Sequence, residues 1–194
     1  DGPLPEATVS PPASGGEKHL LKTFYIYAVG SLIVVAIDLL VLAFSLLTLF
    51  RARDLSMRCL VRPGAWLTLR ILGVRVAFSG GERIPDEPVV LIGNHLSSYD
   101  IFAVCTLGLR RTRYFLSTHT YRYFPLTIIG RCTGTFYIRG QDHPEARTRC
   151  FQRASRILRQ TGDSVFLTPE GLRVTTGKIG GFNRGAFHLA LDLG

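Results

Sequence analysis

Strands that alternate with helices along residues 51 to 194 predict an α/β fold, a mostly parallel sheet flanked by helices, preceded by an N-terminal membrane helix. Three observations carry this expectation. A 27-residue apolar run precedes everything else, residues 89 to 92 form a short unbroken apolar run of the kind parallel sheets bury on both faces, and an amphipathic segment separates candidate strands at 135 to 138 and 164 to 167.

Residues 1 to 16 are rich in Pro, Gly and Ser with little to bury, so a flexible tail is expected, extending to residue 23. Residues 24 to 50 carry one charged side chain, Asp38, and would reach about 40 Å as a helix. Asp38 costs about 3 kcal/mol at mid-membrane, and the 17 Leu, Ile, Val and Phe residues of the run return on the order of 5 to 10, so a transmembrane or membrane-embedded helix is expected. Asp38 then stays protonated, faces a partner helix or marks a bend. Lys18 and Lys22 flank one end and Arg51, Arg53, Arg58, Arg62 and Arg70 the other, which puts residues 51 to 194 on the cytoplasmic side. The apolar run is about twice as long as a signal peptide's.

Beyond it, Pro63 opens a short helix ended by Gly73, and Val74, Val76 and Phe78 alternate with Arg75, Ala77 and Ser79 as a half-buried strand does. After the apolar run at 89 to 92, residues 97 to 109 read as helix. A capping box, Asp142 and Glu145, opens the next one, with Ala146, Cys150, Ala154 and Ile157 on one face and Arg149, Arg153 and Arg156 on another.

The chain has 194 residues, 46% hydrophobic and 19% charged, which excludes a disordered protein and argues for one core. Its net charge is +9, and residues 51 to 194 hold 21 basic against 10 acidic side chains, a net +11 that suits a phosphate-rich partner, either nucleic acid or anionic lipid. Cys59, Cys105, Cys132 and Cys150 have neither zinc nor disulfide spacing, so four reduced thiols and no metal are expected.

The informative segment is residues 89 to 100, an apolar strand running through Asn94, His95, Leu96, Ser97, Ser98 and Tyr99 to Asp100. Ligands sit at the carboxyl ends of strands in open α/β sheets. With Ser97 or Ser98 as helix cap, Asp100 folds back on the imidazole of His95 and leaves the other ring nitrogen basic. A G-x-S-x-G nucleophile elbow is missing, so His95 would activate a hydroxyl that arrives on a substrate. Backbone N–H groups after His95 are the natural oxyanion donors. A second cluster, Thr168, Pro169, Glu170, Gly171, Leu172 and Arg173, again follows a strand; Glu170 suits hydroxyls and Arg173 an anion, or the two form a surface ion pair. A third, residues 134 to 139, ends in Arg139.

In this order the segments resemble the glycerophospholipid acyltransferase family, over about residues 66 to 194. Residues 94 to 100 match its N-H-x-S-x-x-D block at every fixed position. Residues 134 to 139 resemble its G-x-x-F-I-D-R block, with Arg139 in place of Asp and Gly140 in place of Arg. Residues 168 to 173 are similar to F-P-E-G-T-R, and Phe182 to Gly185 to F-K-x-G, with Asn183 for Lys. The segment from Phe115 to Phe124 lacks the family's usual Lys.

The resemblance implies a membrane-anchored acyltransferase domain over 51 to 194. It would move a fatty acyl group from acyl-CoA or acyl carrier protein to the hydroxyl of a lysophospholipid acceptor, with 1-acyl-sn-glycerol 3-phosphate giving phosphatidic acid. His95 and Asp100 would be catalytic; Asn94, Ser97, Arg139, Glu170, Gly171 and Arg173 would bind substrate. Neither metal nor redox cofactor is implied, and membrane lipid rather than nucleic acid is the expected partner. The family continues into a further strand with a hydrophobic-Pro block, so the domain is expected to be truncated at residue 194. The alternative is a catalytically silent membrane protein that binds anionic lipid on the same scaffold.

Overall fold

The structure, a computed structural model, describes residues 16–176 and 178–194. Helix α1 (Gly16–Leu47) is continuous, with no bend at Asp38. It begins eight residues ahead of the expected Phe24, because residues 17 to 22 hold good helix formers and no Pro. Of the expected tail, residues 1 to 15 lie outside the described residues and 16 to 23 are helical. The helix stops three residues short of Phe50, where Leu49 and Phe50 adopt positive φ of 50° and 60°. Among the described residues α1 is the one helix long and apolar enough to cross a membrane, over Leu20–Leu47.

The chain then returns along α1 as one helical arm: α2 (Arg53–Ser56), a π-helical stretch (Met57–Val61) and α3 (Arg62–Ile71). Pro63 stands in the first turn of α3, as expected from sequence, although α3 continues the π-helical stretch without a break. The proline sits inside the arm, and the wider π-turns ahead of it relieve the clash between its ring and the carbonyl four residues back. One stripe of α1, with Asp38 at 2% and Val41 at 0% exposure, packs into a cluster with Met57, Val61, Ile128 and Ile129. Asp38 thus faces protein, and among the described residues its carboxyl group has no hydrogen-bond partner.

Residues 74 to 79 join no strand ladder, which corrects the strand expected there. Val76 and Phe78 remain about half exposed. Alternation sets side-chain direction but supplies no neighbouring strand.

Four strands follow: β1 (Val90–Ile92), β2 (Thr112–Ser117), β3 (Phe136–Ile138) and β4 (Ser164–Leu167). They pair in the order β1, β4, β2, β3, all parallel, with Val90 opposite Val165, Tyr114 opposite Phe166 and Phe115 opposite Phe136. Their connections carry α4 (Asp100–Thr106), α5 (Phe124–Cys132) and α6 (Pro144–Thr161), and α7 (Gly185–Leu193) closes the chain.

Alternation sorts the strand side chains to two layers. Phe115, Phe136, Val165 and Leu167 meet Ala154 and Leu158 of α6 and Leu189 of α7. Tyr114 and Leu116 face the layer of α1, α3, α4 and α5.

β1, expected to be covered on both faces, is an edge strand here, with Ile92 46% exposed. The inner strand β2 lacks an unbroken apolar run because it includes Arg113. That guanidinium is accommodated by Asp163, 3% exposed, which also receives both terminal nitrogens of Arg53 at 2.8 and 2.9 Å. Burial would raise the Asp163 carboxyl, but Arg53 and Arg113 hold it far below the usual carboxylate range. The cluster ties the helical arm to the entry of β4. At α6 the capping box does not form: His143 is the N-cap, Pro144 takes the first turn, and Asp142 pairs with His143 instead.

Candidate active site

Because all four strands are parallel, their carboxyl ends open on one edge of the sheet. There the chain leaves β1 for Asn94 and His95, β3 for Arg139, and β4 for Pro169 and Glu170. The edge faces a cavity of about 1000 Å³, lined by Asn94, His95, Ser98, Asp100, Arg139, Gly171 and Arg173. The cavity continues between α1 and the sheet, where Val34, Val35, Phe102, Leu116 and Leu126 make its wall apolar. One end is therefore polar and cationic, the other greasy.

His95 Nδ1 lies 2.9 Å from Asp100 Oδ2, and the same oxygen accepts the N–H groups of Leu96 at 2.8 Å and Ser97 at 2.9 Å. A carboxylate only accepts, so Nδ1 carries the proton and Nε2 presents its lone pair. The expected helix 97 to 109 is shorter, Asp100–Thr106, with Tyr99 as N-cap. Neither serine caps it; the Ser97 hydroxyl accepts the Tyr99 N–H at 3.1 Å, and Ser97 does not line the cavity. Asp100 takes over the turn by reaching back to the N–H groups before it.

This also narrows the expected oxyanion donors after His95. The N–H groups of Leu96 and Ser97 are engaged by Asp100, and that of His95 by Glu170, which leaves Ser98 as the next main-chain donor in the loop.

Glu170 is 5% exposed, and each of its oxygens receives a backbone N–H: His95 at 2.7 Å and Gly180 at 2.9 Å. The His95 N–H first, then that of Gly180, hold its pKa below the usual glutamate value. The carbonyl of His95 accepts from Val174 N at 2.8 Å, so the loop after β4 grips the His95 backbone on both sides. Both Glu170 oxygens are thus engaged by backbone N–H groups, one of them that of the histidine itself. Gly171 follows at φ +71°, and a Cβ there would stand 2.8 Å from Asn183 Nδ2. Arg173 reaches across the mouth and donates from Nη1 to the Ser98 hydroxyl.

One cationic residue of the wall, Arg147, escaped the sequence reading. Arg147 had a usable signal: it stands three residues before Cys150 and seven before Ala154, beside the buried stripe of α6. The contribution of α1, through Tyr27, Gly30, Ser31, Val34 and Val35, was hidden because its apolarity reads as lipid contact. Among the described residues no group of His, Cys, Asp or Glu gathers as metal ligands, and Cys59, Cys105, Cys132 and Cys150 are free. Burial pushes the Cys105 thiol up to about 12.

A family model described as acyltransferase matches residues 75–194, which contain the histidine, the carboxylate and all four strand ends around one cavity. The chain belongs to the acyltransferase family. Within that family it is 32% identical over 125 residues to a chloroplastic 1-acyl-sn-glycerol-3-phosphate acyltransferase of Arabidopsis thaliana, covering 62% of this chain and 33% of the relative. It is 34% identical to a 1-acyl-sn-glycerol-3-phosphate acyltransferase of Chlamydomonas reinhardtii, over 62% and 36%. A Pseudomonas aeruginosa protein of the same description shares 26%, over 69% and 51%. The chain thus spans about a third of the length of the plant and algal relatives. Its fold is that of the crystal structure of the 1-acyl-sn-glycerophosphate (LPA) acyltransferase PlsC from Thermotoga maritima, with a TM-score of 0.71 at 21% identity, covering 91% of this chain and 71% of that one.

Proposed function

We propose that this chain is the catalytic unit of a membrane-anchored O-acyltransferase that moves a fatty acyl group from a thioester, acyl-CoA or acyl carrier protein, to the free hydroxyl of 1-acyl-sn-glycerol 3-phosphate. The observation that carries this is the His95–Asp100 pair at the mouth of a cavity that is cationic at one end and apolar at the other. His95 Nε2 takes the proton of the acceptor hydroxyl while its oxygen attacks the thioester carbonyl. Asp100 holds the tautomer and stabilises the imidazolium. The C–S bond then breaks, and the leaving thiolate takes the proton from His95, giving phosphatidic acid and a free thiol.

The reaction is redox-neutral and uses no electron carrier; this chain's own groups supply the base, and the Ser98 N–H is the oxyanion donor we assign. Arg173 and Arg139 face the phosphate. The apolar wall shared by α1 and the sheet receives acyl chain. The exposed face of α1 lies in the membrane, and the Arg-rich flank after it puts the catalytic unit on the cytoplasmic side.

The test is acyl transfer from labelled acyl-CoA to lysophosphatidate, with liposome binding measured beside it. His95→Ala is expected to lower kcat by two to four orders of magnitude and to leave liposome binding intact. Wild-type turnover no faster than that of His95→Ala would remove the catalytic reading and leave the lipid-binding scaffold.

A further inference from the structure

Four arginines, Arg122, Arg139, Arg147 and Arg173, line the cavity, and Asp100 is the one carboxylate residue in its wall. Among the described residues none of the four has a carboxylate within ion-pair distance, and Asp100 is already taken by His95, Leu96 and Ser97. Arginines without a carboxylate partner gathered around one open-mouthed cavity make it a place that favours an anion from outside the chain.

Two of them come from a single corner. Arg139 leaves β3, and Arg147 sits on the second turn of α6 with its Nη1 donating to the Arg139 carbonyl at 2.9 Å. That bond uses one of five donors and fixes the guanidinium against the strand end. The corner is braced from the other side: Gln141 donates to the Asn183 side-chain oxygen at 3.3 Å, and the Asn183 amide donates to the carbonyls of Pro169 and Glu170 at 2.9 and 3.1 Å. Asn183 thus does bracing work as a neutral group, and Gly140 offers no side chain, so the cationic work of the corner falls to Arg139 and Arg147. Across the mouth stands Arg173, tied to Ser98.

We infer that Arg147, with Arg139, forms a phosphate seat and that Arg147 is the residue setting the headgroup preference of the acceptor. The inference rests on the acyl-transfer reading of the same cavity. A phosphomonoester dianion offers enough oxygens for guanidinium forks from both sides. A phosphocholine head brings a cation that no free carboxylate of the wall can meet.

The experiment uses the intact chain in mixed micelles and measures, without acyl donor, the Kd for lysophosphatidate, for lysophosphatidylcholine and for monoacylglycerol, which lacks the phosphate. Steady-state transfer to lysophosphatidate is measured in parallel. Arg147→Ala is expected to raise Kd and KM for lysophosphatidate about 10- to 100-fold with kcat changed less than about threefold, and to leave the monoacylglycerol Kd unchanged. Its preference for lysophosphatidate over lysophosphatidylcholine falls accordingly. Arg147→Lys recovers part of the loss, because it restores charge without the fork. Arg153→Ala, exposed further along α6 and outside the cavity, changes nothing.

Equal loss for lysophosphatidate and monoacylglycerol would reduce Arg147 to a brace of the β3 end, and no loss would remove the seat. Binding that depends on Arg147 in a chain without transfer refutes the enzymatic reading and keeps the seat. Transfer indifferent to Arg147 does the reverse.

Discussion

Asp100 and Glu170 stand at the same strand ends and do different work. Asp100 gathers one imidazole and two backbone N–H groups on a single oxygen; Glu170 divides its two oxygens between His95 and Gly180. The first arrangement fixes a tautomer and the second fixes where the histidine backbone lies. Glu170→Gln separates these roles, since an amide nitrogen cannot accept one of the two N–H groups. A residue that positions His95 loses kcat on that change; one that holds acceptor oxygens gains KM.

The pH dependence follows from the lowered pKa of Glu170. A carboxyl whose folded pKa lies below its unfolded value stabilises the fold above the unfolded value, and that contribution fades as pH falls through the folded value. The Tm difference between wild type and Glu170→Gln is therefore expected to be greatest at neutral pH and to close below about pH 4. A difference that stays constant down to pH 3 would mean that the carboxylate charge is not what holds the loop.

At the scale of elements, the joint that matters is between the helical arm and the sheet. Asp163 has a side chain 2% exposed and receives Arg53 from the arm and Arg113 from β2, both 15% exposed. Replacing it by Asn leaves two guanidinium groups facing a neutral amide with water largely excluded. Removal of one partner from a buried ion pair costs about 3 to 5 kcal/mol, which predicts a large drop in Tm for Asp163→Asn. A drop no greater than that of an exposed substitution such as Glu82→Gln would show the joint to be solvated.

α1 belongs to the same packed unit: it packs on the arm and on α5, and residues between 27 and 35 complete the cavity wall. An unpartnered carboxylate at Asp38 is the unexplained cost of that packing.

The whole molecule has an apolar helix on one layer and the exposed arginines of α6 on the opposite one. In the proposed membrane-anchored arrangement the arm that follows α1 would meet the headgroups, and Cys59 on that arm is the exposed thiol of the four. Cys59, not the half-buried Cys150, is the informative site for mapping orientation. In intact cells it is expected to resist a membrane-impermeant maleimide and to label after permeabilisation. Labelling from outside would place the arm, and the catalytic unit with it, on the other side.

The sequence by itself determined the chemistry-bearing parts: a long apolar helix, a parallel α/β sheet, β4 at its observed bounds, the buried stripe of α6, and the His95 and Asp100 pair whose spacing lets a first-turn carboxylate fold back on a ring nitrogen. These are local, set by periods of 2 and 3.6 residues and by reach along the chain. What only the tertiary structure decided depended on partners distant in sequence. Arg113 could enter an inner strand because Asp163, 50 residues later, meets it; residues 74 to 79 alternate like a strand and found no neighbour to pair with. Glu170 meets a backbone partner that its own segment does not announce, because His95 N–H lies 75 residues away in sequence and 2.7 Å away in space. Arg147 entered the cavity wall through the crossing of α6 over β3, and burial and hydrogen bonding across such crossings leave no periodic trace in either segment.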